Sequence, residues 1–140
     1  MRQLTIILLL CIGVGCTGTK NTTITSDNLN GTWIPVKQEI RGKELPTAAF
    51  EKQKLIMSDN VYTLIAESID KGEVTYSKGN MDIYGKEGVN AGKHFTAIYK
   101  RENDQLTICY NLLGDSYPTG FETKSKPMLF LSVFSKWYLN

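Results

Sequence analysis

Leu29-Asn30-Gly31-Thr32-Trp33 divides this 140-residue chain. The residues before it read as an export signal and a tether. Those after it read as short strands parted by turns. The run 33–40 comes first, with Ile34, Val36 and Ile40 on one face, Gln38 the exception there, and Trp33, Pro35, Lys37 and Glu39 on the other. Successive strand side chains point to opposite faces, so this alternation marks a half-buried strand. Pro35 carries no N–H for a ladder, so a bulge or a free edge is expected beside it.

Downstream the pattern repeats. Arg41-Gly42-Lys43 reads as a turn, and 45–51 holds Pro46 and Ala48-Ala49, enough for one helical turn. Runs 54–57 and 61–66 flank Ser58-Asp59-Asn60, a hairpin signal. Runs 74–77 and 81–84 flank Lys78-Gly79-Asn80, and the glycine-rich 85–93 is a loop. Alternation over 95–100, a turn at Glu102-Asn103-Asp104 and a run at 106–110 come next. A long loop, 112–127, leads to a last strand, 128–137, apolar on both faces. About eight short, evenly spaced strands without a long helix predict an all-β antiparallel barrel or sandwich. Closure would remove the exposed edges of such a sheet.

Upstream, Arg2 precedes an almost wholly apolar run from Leu4 to Ile12. That run is too short for a membrane span, which needs about 20 apolar residues. It has the length of a secretory core segment. Gly13-Val14-Gly15-Cys16 resembles the bacterial lipobox, with Gly13 where Leu is preferred. The expectation is a signal peptide over 1–15, a lipidated Cys16, a flexible tether over 16–28 and one domain over 29–140. The Cys16 thiol would carry the lipid, and each buried CH₂ contributes ~0.8 kcal/mol to anchoring. Residues 17–28 are polar, rich in Thr and Asn, and bury too little to order themselves. Thr17 after the cysteine, rather than Asp, favours the outer membrane facing the periplasm in a diderm host.

The strand residues also resemble a family. Leu29-x-Gly31-Thr32-Trp33 is succeeded by Gly42-Lys43-x-Leu45-Pro46, Ile98-Tyr99, Leu106-Thr107-Ile108-Cys109, Pro118 with Phe121-Glu122, and a closing apolar strand. This order is similar to that of the small lipocalin-like domains of bacterial lipoproteins. The resemblance spans nearly all of 29–137. It implies a single up-and-down barrel with Gly31 and Trp33 as anchors at its closed end. By the same analogy Lys136 covers the Trp33 indole. The resemblance departs at Tyr117, where relatives usually carry Arg. It implies fold and location, and no chemistry.

No catalytic constellation stands out. His94 is the single histidine, without the neighbouring ligands a zinc site needs, and reads as a solvated loop-end residue. No nucleophile elbow or phosphate-cradling glycine motif is present. No metal, cofactor or enzyme activity is expected. A net charge of +2 gives no electrostatic reason to propose nucleic acid. Cys109 reads as a small buried hydrophobe. The aromatic set is the functional lead: Tyr62, Tyr76, Tyr84, Phe95, Tyr99, Tyr110, Phe130 and Phe134 all fall on expected strands. Inside a barrel they either line a small cavity or fill it. Tyr117, Phe121 and Lys124 on the long loop are candidates for partner contact. The leading reading is a monomeric, membrane-anchored module for a small apolar or amphipathic ligand. The alternative is an interaction module, an inhibitor or envelope-assembly factor, with a filled barrel and binding loops.

Overall fold

The computed structural model describes residues 27–140. The segments expected as signal peptide, lipidated Cys16 and most of the tether lie outside the described residues. The strands are β1 (Gly31–Ile40), β2 (Lys43–Glu44), β3 (Lys54–Ser58), β4 (Val61–Ile65), β5 (Ile69–Ser77), β6 (Asn80–Glu87), β7 (His94–Glu102), β8 (Gln105–Asn111) and β9 (Leu129–Trp137). Every pairing is antiparallel; β1 pairs with β3, each later strand with the next, and β9 returns to pair with β1. The result is the expected closed eight-stranded up-and-down barrel. The two-residue β2 is added beside the far part of β1, at Glu39 and Ile40. One 3₁₀ turn, Thr47–Ala49, supplies the expected helical turn. The nine strands and the hydrophobic cluster they enclose run from Leu29 to Trp137.

The turns obey local chemistry. Lys78 and Gly79 both have positive φ (51° and 83°), as do Arg41 and Gly42 (53° and 73°). Two such residues in succession give the hairpin turn whose twist matches that of the strands. Asp59 and Asn103 supply the left-handed residue at the other two tight turns.

The bulge expected at Pro35 is present. Pro35 pairs with Phe134 and Lys37 with Val133, so Val36 has no partner on β9. The bulge splits the face expected from simple alternation. Trp33, Pro35 and Gln38 point inward, whereas Val36 is 53% exposed. A bulge accommodates the proline's missing N–H, and its one extra residue turns every later side chain over.

β5 begins five residues before the expected 74–77 run, because Asp70 and Gly72 occupy inward positions that read as polar or loop in sequence. Gly72 has a steric reason. A Cβ there would lie 2.1 Å from the Tyr84 carbonyl oxygen and 2.8 Å from the Tyr62 ring. β6 likewise runs to Glu87, into the expected loop.

The two-sided apolar character of β9 also has a cause. Phe130, Ser132 and Phe134 face the barrel interior. On the outer face, Leu131 pairs with Glu39 on one side and Cys109 on the other. Leu131 and Cys109 are buried nonetheless. The long loop crosses this face: Thr123 is fully buried, and its hydroxyl donates to Glu39 Oε1 at 2.6 Å and accepts from Gly42 N at 2.9 Å.

Candidate functional site: a one-ended apolar cavity

One end of the barrel is plugged. Trp33 is fully buried, and its Nε1 donates to the Leu29 carbonyl at 2.9 Å. Leu29, also fully buried, donates its N–H to the Tyr76 hydroxyl at 3.2 Å. Tyr76 meets Tyr99 edge to face with ring centroids 5.7 Å apart. Lys136 Nζ lies 5.5 Å from the Trp33 ring centroid, and the Arg101 guanidinium lies 5.6 Å from it. Arg101 has no signal in the sequence pattern. Gly31 makes room for Lys136: its φ is +133°, and a Cβ there would sit 3.0 Å from Lys136 Cε. Both facts disfavour any side chain at that position.

The tether boundary moves as a result. The Tyr99 hydroxyl donates to Asp27 Oδ2 at 2.8 Å, and Arg101 donates to the Asn28 carbonyl. Asp27 and Asn28 therefore belong to the plug rather than to a free spacer. Burial, then the hydrogen bond to Asp27, pushes the Tyr99 phenol up to about 12.

The other half of the barrel is hollow. A cavity of about 220 Å³ is walled by Leu55, Met57, Leu64, Val74, Met81, Ile83, Ile108 and a set of aromatic rings. Of the eight candidate aromatics, Tyr62, Phe95, Tyr110, Phe130 and Phe134 line it. Tyr76 and Tyr99 do not, because they lie lower, in the plug. Tyr84 does not either. It faces outward, 40% exposed, and stacks on His94 with centroids 4.5 Å apart. The volume lies below the ~300 Å³ at which pockets for drug-sized ligands begin. It suits a small molecule, or one end of a longer one.

Two separate polar groups interrupt the apolar wall, one around Gln38 and one around Asp70. Gln38 is 4% exposed, and its Nε2 donates to Gln53 Oε1 at 2.7 Å and reaches Ser132 Oγ at 3.4 Å. Asp70 is equally buried. It accepts from the Tyr62 hydroxyl at 3.2 Å, from Asn90 Nδ2 at 2.8 Å and from Asn90 N at 3.2 Å. Burial first, and the Asp70 charge second, push the Tyr62 phenol well above its ordinary range. Sequence reasoning misses Gln38, Gln53, Asp70 and Asn90. Asp70 and Asn90 sit among turn-like residues, and only the β5 register turns Asp70 inward.

His94 is not simply solvated. Its Nε2 lies 2.8 Å from Asp82 Oδ1, and the Tyr117 hydroxyl donates to the same carboxylate. Burial alone would raise the Asp82 carboxyl, but the bonds from Tyr117 and His94 outweigh it and hold the carboxyl below its usual range. Tyr117 thus pins the long loop to the barrel wall. Phe121 is half-buried beneath Lys100, whose Nζ is 5.1 Å from the ring centroid. Lys124 is exposed and passes over Gly42. Among the described residues no cluster of three or more His, Cys, Asp or Glu is placed to hold a metal ion. The Cys109 thiol is pushed up by burial, which makes it a poor nucleophile. No family model, curated protein or solved structure matches this chain.

Proposed function

We propose that this protein is a lipid-anchored, lipocalin-like module of the cell envelope whose barrel holds a small apolar or amphipathic molecule. The observation that carries the reading is the cavity: apolar walls, one plugged end, and a few buried polar groups able to orient a ligand. Sites for small molecules share this composition. The anchor rests on the apolar run ending in Gly13-Val14-Gly15-Cys16. Native mass spectrometry of the barrel purified from its host envelope tests the binding reading. The expected result is a second species heavier by one small molecule. A single unliganded mass, unchanged after incubation with octanol, overturns it. For the anchor, Cys16→Ala should move the protein out of the carbonate-washed membrane fraction, and retention there contradicts it.

One observation favours a second reading as an interaction module. Ile69, Val89 and Leu113 are exposed, on the strand start and loops at the open end. A protein partner seated there would cover them and close the cavity.

A further inference from the structure

We propose that the cavity selects a ligand with an apolar body and a hydrogen-bond-donating head, cationic in preference to neutral, and rejects anionic amphiphiles. This rests on the ligand-binding reading above and names the class of ligand. Among the described lining residues Asp70 is the one acidic group, and none is Lys, Arg or His. The ion pairs among the described residues involve Lys37, Lys86, His94 and Lys100, and none involves Asp70. Among the described residues its carboxylate is met by hydrogen bonds alone.

An ionised carboxylate offers about four acceptor positions. The Tyr62 hydroxyl and the two Asn90 donors fill three. One position is left for a donor on the ligand. Tyr110 adds a second open polar function. It lines the cavity, and among the described residues its hydroxyl bonds to no protein group.

The chemistry of the head group then decides. A carboxylate ligand would bring a second negative charge into a poorly hydrated site without a cation, and like charges so placed disfavour each other. An ammonium would fill the vacant acceptor position and balance the charge, with the Tyr110 oxygen available as a further acceptor. An alcohol would fill the position without balancing the charge, and should fall between. A competing role for Asp70 is purely internal. Asn90 and Gly88 pack on it, and a Cβ at Gly88 would lie 3.0 Å from Asp70 Oδ1, so the carboxylate ties down the β6–β7 loop. That role alone would give no selectivity by charge.

Calorimetric titration of residues 17–140 at pH 7 with octylamine, octanol and octanoate separates these cases. The expected order is octylamine, octanol, octanoate, with the amine at least about tenfold tighter than the carboxylate. Asp70→Asn should bring amine and alcohol within about threefold of each other. Octanoate binding as tightly as octylamine overturns the inference, and so does a preference that survives in Asp70→Asn. If none of the three binds, the hollow-barrel reading itself falls. Should the variant fail to fold, the order measured on the unmodified chain decides alone.

Discussion

Replacing Trp33 with Ala removes the side chain on which the closed end is built. The indole is fully buried and its Nε1 donates to the Leu29 carbonyl. Truncating a buried Trp costs about 3–5 kcal/mol through lost burial and the cavity left behind. Leaving the Leu29 carbonyl, itself on a fully buried residue, without its donor adds about 1 kcal/mol. The sum, about 4–6 kcal/mol, approaches the whole stability of a domain this size, about 5–15 kcal/mol. With a urea slope of about 2 kcal/mol per molar, the unfolding midpoint should fall by about 2 M or more, or vanish. Urea unfolding monitored by circular dichroism measures this. A loss under about 1 kcal/mol would mean that the indole is not the plug, and the account of the closed end would be refuted.

Lys136→Ala should cost only about 0.5–2 kcal/mol, because a cation over an indole contributes no more and Arg101 still lies over the ring; the same urea assay checks it. A chain starting at Asp27 should melt within about 2 °C of one starting at Thr17, since the residues removed lack an apolar face, whereas one starting at Leu29 should melt lower because the bonds from Tyr99 and Arg101 go with Asp27 and Asn28. Gly72→Ala should lose about 1–3 kcal/mol, as its Cβ would collide with the Tyr84 carbonyl; calorimetry reads the drop in Tm. Stability should also fall at alkaline pH. The folded Tyr99 phenol is held up at about 12 against an ordinary 10. Its contribution is full below pH 10 and is lost as pH rises from 10 towards 12, because the unfolded chain releases that proton first. Melting temperatures between pH 8 and 11.5 test the sign, and a rise with pH would contradict it.

The barrel is legible in the sequence because its signals are local. Turn residues at Asp59, Gly79 and Asn103 punctuate alternating runs, and Trp33 marks the first strand. Register is less legible. Pro35 announces a bulge, but not which residue is extruded, so alternation alone puts Val36 inside and makes Gln38 an exception. The start of β5 is hidden because Asp70 and Gly72 face inward for reasons made by distant residues, Asn90 and Tyr84. The candidate aromatics are recognisable as strand residues, yet strand position does not fix height along the barrel. Tyr76 and Tyr99 fall into the plug, and Tyr84 faces outward onto His94. The outer burial of Cys109 and Leu131 depends on where the long loop lies, which Thr123 and Tyr117 settle through bonds to Glu39 and Asp82 that no local pattern reports.

The central claim is that the upper barrel is hollow and accessible. Methyl-resolved NMR tests it most directly. With octanol added to residues 17–140, the methyl resonances of Leu55, Met57, Met81, Ile83 and Ile108 should shift together and saturate. Those of the exposed Val36, Val61 and Leu139 should stay in place. Shifts confined to the exposed methyls, or none at all, would contradict the account.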